Sequence, residues 1–201
     1  MERCICFFDL ETRQGPLDLD PTNENHGWAK MRRGEGGISA LAIHNDREDW
    51  TFVYDDHDIL DIAAHLEAAD VVIGYSSHFF DVPVVEGLLG RKLALKYHLD
   101  LYEEIKKSLF KNGILQRKGE NKLDSVCKRT LGVSKIEHGS NAPTLAKDGR
   151  WGRLFNYCMD DVRLTKKLFE HIQTTGGVIS PNGTFMKVEI PEWLRKDTPS
   201  E

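Results

Sequence analysis

Residues 154–172 place Leu154, Cys158, Asp161, Thr165, Leu168 and Ile172 in alternating steps of three and four. That rhythm is one face of an α-helix. It is the strongest helix signal in the chain, and the pair Gly176-Gly177 marks its end. An apolar stripe of this length has to be buried against another layer. It nevertheless carries an acid, because Asp161 falls on the stripe while Asp160 is turned about 100° away. A carboxylate on a buried face is costly unless it is hydrogen-bonded, paired or bound to a cation. Tyr157 lies four residues earlier on the same face, within reach of whatever Asp161 holds. A structural Tyr–Asp hydrogen bond would account for this pair equally well.

The remaining pattern supplies the layer that helix needs. Residues 4–9 are a short apolar run closing on Asp9, which reads as a buried strand. Residues 13–35 are rich in Pro, Asn, Gly and charge and read as a long loop, of a length that can cover a site. Residues 38–44 and 50–54 flank the polar turn 45–49, an antiparallel hairpin pattern. A helix is predicted after Asp58, with Ile59, Ile62, Ala63 and Leu66 on its apolar face. Val71–Gly74 reads as the next buried strand, followed by a Ser-rich turn and a helix over 82–89. A short strand at 97–100 leads into a helix over 101–110. Leu123–Leu131 reads as a helix stopped by Gly132, and a hairpin at Pro181-Asn182-Gly183, within 177–190, follows. This order predicts an α/β fold with a mixed central β-sheet flanked by α-helices. Residues 1–195 are expected to form one domain and 196–201 a frayed tail.

Two further carboxylate groupings accompany Asp161. In Phe7-Phe8-Asp9-Leu10-Glu11-Thr12, residues two apart in a strand share a side, so Asp9 and Glu11 project together. Adjacent carboxylates at the end of an apolar strand need a cation, a shared proton or water. In the stretch from Gly74 to Pro83, Asp81 sits among Phe79, Phe80 and Val82 at a strand-to-helix junction. Each acid has an ordinary explanation alone: a strand end, a helix cap, a buried hydrogen bond. One divalent-cation site explains all of them together, since hard ions such as Mg²⁺ and Mn²⁺ take carboxylate oxygens. His98-Leu99-Asp100 suggests another metal pair, but a strand end with Asp100 starting the next helix is the simpler reading.

Charge adds a partner class. The net charge is −5, yet residues 106–153 hold 12 Lys or Arg against 4 Asp or Glu. A chain divided this way can meet phosphates with one segment and hold cations with another, although solvated basic helix faces are the plainer explanation. Phe79, Phe80 and Trp151 are candidate stacking groups for bases, with core packing as their commoner role. No apolar run reaches membrane-span length, and the N-terminus lacks a signal-peptide layout. Both predict a cytoplasmic chain with no membrane partner. Cys4, Cys6, Cys127 and Cys158 lack zinc-ligand spacing and are expected to be buried, reduced thiols.

Three motifs in order resemble a known family. Asp9-Leu10-Glu11-Thr12, the Gly74-Tyr75 stretch ending Phe80-Asp81-Val82-Pro83, and Tyr157-Cys158 with Asp161 are similar to the motifs of DEDDy-type 3′→5′ exonucleases of the RNase H-like superfamily. The likeness extends over about residues 3–173 and is nearest to the proofreading domain of family-B DNA polymerases and their stand-alone relatives. Lys122-Leu123-Asp124-Ser125-Val126 and Leu131-Gly132 resemble the helix before the third motif. Ser76 stands where that family usually has Asn, the loop 13–35 is longer than the family pattern, and these 201 residues contain no polymerase module. Asn156 stands where the sister subclass has His, which favours the tyrosine subclass.

The resemblance implies an RNase H-like fold and a two-ion mechanism, with Mg²⁺ or Mn²⁺ held by Asp9, Glu11, Asp81 and Asp161. It makes Asp9, Glu11, Asp81, Tyr157 and Asp161 the catalytic set, with Tyr157 and Glu11 orienting the attacking water. Leu10, Thr12 and Phe80 would contact the terminal nucleotide of a single-stranded 3′ end, DNA being favoured, with replication or repair proteins as further candidate partners. An RNase H-like endonuclease or resolvase, or a non-catalytic nucleic-acid-binding subunit of a replication or repair complex, are the competing readings.

Overall fold

The computed structural model describes residues 3–45, 49–52, 58–134 and 142–195, with 49–52 described in backbone only. The strands are β1 (Ile5–Thr12), β2 (Ile38–Asn45), β3 (Asp49–Phe52), β4 (Val71–Gly74) and β5 (His98–Asp100), plus a hairpin of β6 (Gly177–Ile179) and β7 (Phe185–Lys187). The helices are α1 (Pro16–Leu19), α2 (Glu24–Met31), α3 (Ile59–Ala68), α4 (Asp81–Leu89), α5 (Leu101–Lys111), α6 (Leu123–Leu131), α7 (Ala142–Lys147) and α8 (Trp151–Thr175). The main sheet has the order β3-β2-β1-β4-β5. β2 runs antiparallel to both β1 and β3, while β1, β4 and β5 are parallel. The expected mixed sheet with flanking helices is therefore what the chain forms.

Strand periodicity divides the core. Cys6, Phe8 and Leu10 point to the face covered by α3 and α4, where Ile62, Leu66, Val84 and Val85 are sealed from solvent. Phe7 points to the opposite face, which α5, α6 and α8 cover, and its ring meets Phe169 edge-on at 5.7 Å. Asp9 and Glu11 follow Phe7 in steps of two, so the strand aims both acids at the α8 layer.

β1 also outruns its parallel neighbour. Phe7 pairs with Ile73 and β4 ends at Gly74, whereas β1 continues to Thr12 along β2. The carboxylates therefore stand beyond the carboxyl end of β4, where open α/β sheets leave a crevice. α8 stops where the sequence indicates: Gly176 adopts φ 80°, and its N–H bonds to Ile172 O.

Two expectations are corrected, and one helix was not foreseen. Residues 13–35 are not a structureless loop; they hold α1 and α2, the latter capped by the Asn23 side chain accepting from the His26 N–H. α7 carries no clear sequence signal, being six residues long. Cys4 is exposed rather than buried, although all four cysteines are free. The turn 46–48, residues 53–54 and the tail 196–201 fall outside the described residues. Among the described residues no helix is long and apolar enough to cross a membrane.

Candidate active site

The acids converge because three elements meet at one end of the sheet. β1 supplies Asp9 and Glu11, both half-buried, and α8 crosses the same face to supply Asp161, which is 6% exposed. One carboxylate oxygen from each lies within 4.8 Å of the other two. Tyr157, one turn before Asp161, hydrogen-bonds its carboxylate through the phenol. Asp160 faces away and pairs with Arg163 at 3.6 Å.

Asp81 reaches the site from the other flank. Its Oδ1 accepts the Leu10 N–H at 3.0 Å, a donor exposed because β4 has already ended. It stands outside the tight group of three but shares a cleft with Asp9 and Glu11. The Asp81 carboxyl is pushed up to about 7 by burial, with Asp100 and Asp161 adding to the rise and the Leu10 N–H opposing it.

Burial, followed by the charges of Asp161, Glu11 and Asp9, pushes the Tyr157 phenol far above its usual range. In the metal-free site the phenol therefore keeps its proton and donates it in a hydrogen bond to Asp161. Cys158 lies behind Asp9, with Sγ 3.3 Å from the Asp9 carbonyl oxygen. Burial and the same three acids raise its thiol well above the ordinary value. With the thiol protonated, the donors facing the site are all oxygens, the set that suits a hard divalent cation. The residues present thus fit a metal held by Asp9, Glu11 and Asp161.

Two clefts flank the acids. One, of about 590 Å³, runs from Asp9 and Asp161 past Tyr75 and Tyr102 to Arg117, Lys118 and Lys122. The other, of about 400 Å³, runs from Asp9, Glu11 and Asp81 past Phe79 and Phe80 to Trp28 and Arg32. The turn between β4 and α4 separates them and is fastened to β5: Asp100 accepts the N–H groups of Ser76 and His78, both at 2.9 Å, and Ser77 Oγ meets His98 Nε2 at 2.9 Å. Asp100 also caps α5 by accepting from the Tyr102 N–H, so the helix-start reading of that residue stands and the metal-pair reading does not arise.

The contact residues expected from sequence are placed unevenly. Phe80 and the largely buried Leu10 line the second cleft, while Thr12 is buried and lines neither cleft. Trp151 stacks on Phe155 and lines neither cleft. Much of the basic segment is used structurally: Lys107 pairs with Glu104, Lys111 with Glu189, Lys147 with Asp18, and Arg129 holds the Ile179 carbonyl. Sequence reasoning missed Tyr75, Tyr102, Trp28 and Arg32, whose positions depend on long-range packing. A tryptophan and an arginine one turn apart in residues 13–35 were the only available signal for the last two.

Comparison with known proteins agrees with the architecture. The profile of the RNase_H superfamily matches residues 6–173. The family B DNA polymerase of the hyperthermophilic archaeon Pyrobaculum calidifontis is similar in structure, with a TM-score of 0.59 at 19% identity. The match covers 86% of this chain and 25% of the polymerase chain, so the likeness concerns a quarter of that protein and shows a shared fold. No curated protein matches at the level of sequence. With the profile spanning both β1 and α8, and so the whole acid cluster, the chain belongs to the RNase_H superfamily.

Proposed function

We propose that the protein is a metal-dependent 3′→5′ exonuclease of the DEDDy type, releasing nucleoside monophosphates from single-stranded nucleic acid, with DNA favoured. The convergence of Asp9, Glu11 and Asp161 to within 4.8 Å, with Tyr157 bonded to the last, carries this reading. The order and spacing of the three motifs support it.

In this reading Asp9, Glu11 and Asp161 hold the ions, and Asp81 adds a fourth carboxylate from the α4 side. Two Mg²⁺ or Mn²⁺ ions would supply charge neutralisation at the phosphate and a water of lowered pKa. Tyr157, its proton engaged by Asp161, presents its phenol oxygen to this water and orients it together with Glu11. Asp81 keeps the β1 main chain at Leu10 fixed, and the terminal nucleotide lies along Leu10 and Thr12. Arg117, Lys118 and Lys122 make no ion pair among the described residues, which leaves them available to the phosphates of the incoming strand.

The test is digestion of a 5′-labelled single-stranded oligonucleotide with Mn²⁺ or Mg²⁺, beside the same DNA as a closed circle. A ladder growing from the 3′ end, with the circle intact and both effects abolished by EDTA, is expected. Cutting of the circle would instead identify an endonuclease, and tight binding without cleavage would identify a binding subunit.

A further inference from the structure

The segment 13–35 is a built wall of the second cleft, and its construction points to a ligand. α2 is pinned on both sides. At Gly27 a β-carbon would lie 1.9 Å from the Pro16 carbonyl oxygen, so only glycine allows α2 this close to α1. At its far end, Gly87 of α4 lies against the Arg33 main chain, where a β-carbon would come within 2.3 Å. Polar ties add to this: Lys30 Nζ donates to the Leu19 carbonyl at 3.0 Å, and Asp18 of α1 pairs with Lys147 of α7 at 2.9 Å.

This fixed helix presents Trp28 and, one turn later, Arg32 to the cleft that Asp9 and Glu11 share. The Trp28 ring meets Phe80 edge-on at 5.7 Å and its Nε1 donates to Glu24 at 3.3 Å, so the indole plane is set before anything binds. Even so, Trp28 is 37% exposed and Phe79 53% exposed, an unusual amount of aromatic surface beside an acid cluster. Arg32 is exposed and forms no ion pair with any described residue, although carboxylates line the same cleft. A cleft with an aromatic wall, one available guanidinium and cation-holding acids at its floor matches a flat heterocycle joined to an anionic backbone. About 400 Å³ is room for a single nucleotide.

We propose that α2 forms a subsite for the 3′-terminal nucleotide, in which Trp28 stacks on the base and Arg32 meets the sugar–phosphate. The proposal rests on the exonuclease reading for the word "terminal", and assigns Trp28 and Arg32 as residues that set substrate affinity. Stacking on Trp28 accepts any base, so the subsite selects for the presence of a base rather than its identity.

The experiment compares wild type, Trp28→Ala, Trp28→Phe and Arg32→Gln on two 5′-labelled oligonucleotides, one intact and one with an abasic 3′-terminal residue. On the intact substrate Trp28→Ala should raise KM about tenfold, the effect of one lost stack, while Trp28→Phe retains most of the affinity. On the abasic substrate wild type and Trp28→Ala should coincide, and Arg32→Gln should raise KM on both. An equal KM for wild type and Trp28→Ala on the intact substrate, or an equal penalty from Trp28→Ala on both, overturns the subsite while leaving the exonuclease reading in place. If wild type degrades neither oligonucleotide, that reading fails and titration with deoxyadenosine 5′-monophosphate decides the subsite alone. Saturable binding weakened about tenfold by Trp28→Ala then supports it. No binding, or equal binding by both proteins, overturns it.

Discussion

The two clefts beside the carboxylates are built on different principles. The basic one takes Arg117 and Lys118 from the irregular connection between α5 and α6, and Lys122 from the residue preceding α6. The aromatic one is framed by α2, a helix locked between α1 and α4 by glycines that leave no room for a side chain. The difference follows from the forces involved. Coulomb attraction to a phosphate chain falls off slowly with distance and tolerates any approach angle, so flexible lysines and arginines in a connection suffice. Stacking requires a ring plane held in place, which calls for a rigid support.

Removing what both clefts share should have the largest effect. Asp9→Ala should lower exonuclease activity by on the order of 10³-fold, since it deletes several kcal/mol of transition-state stabilisation, while circular dichroism shows an unchanged fold. Activity retained in that variant would detach both clefts from any catalytic role.

Asp81 lies at the foot of the aromatic cleft and is next in size. In the fold it holds its proton to about pH 7, against an ordinary 3.8 in the unfolded chain. Between those values the folded chain binds more protons than the unfolded one, so the stability of the metal-free protein falls as pH rises through that window. Asp81→Asn keeps an acceptor for the Leu10 N–H and removes the charge. Metal-free Asp81→Asn should therefore be more stable than wild type by about 2–4 kcal/mol at pH 8 and equal to it near pH 4. Denaturant titration at the two pH values measures this, and the same variant should lose activity.

The basic cleft is tested by salt. Replacing Arg117, Lys118 and Lys122 together by Gln should reduce the slope of log affinity against log salt by about 2, at roughly 0.7 per phosphate contact on a single strand. Trp28→Ala should leave that slope unchanged, which separates the two clefts in one titration series.

The rigidity of the aromatic wall is tested by Gly27→Ala, which drives a methyl into the Pro16 carbonyl. It should cost about 1–3 kcal/mol in thermal or chemical denaturation and weaken substrate binding, because α2 must move away from α1. The smallest effect concerns the turn dividing the clefts. Ser76 adopts φ 65°, a left-handed conformation that asparagine tolerates better than serine. Ser76→Asn should stabilise the protein by up to about 1 kcal/mol and leave the salt slope unaltered.

Ser76 also shows how sequence and structure complement one another. Its departure from the asparagine usual in similar exonucleases was visible in the chain. Only the fold shows that the position is left-handed, with the Ser76 N–H held by Asp100 from β5. The reverse holds for Asp161, whose buried place on α8 followed from helical spacing and is observed at 6% exposure. Likewise, strand alternation alone placed Asp9 and Glu11 on one side of β1.

Local periodicity determined most elements and the acids they carry, because a strand repeats every two residues and a helix about every 3.6 within a single segment. That covers β1, β2, β4, the face of α3, the ends of α6 and α8, and the inward turn of Asp161. Tertiary structure alone decided that residues 13–35 are α1 and α2. Helices of four and eight residues with little apolar stripe draw their stability from packing, here through Gly27 and Gly87, rather than from their own pattern. It also decided which cations of residues 106–153 face a cleft and which are consumed in ion pairs. Such pairing joins residues far apart in the chain, as Lys111 with Glu189 and Lys147 with Asp18 do, and no local window of sequence contains both partners.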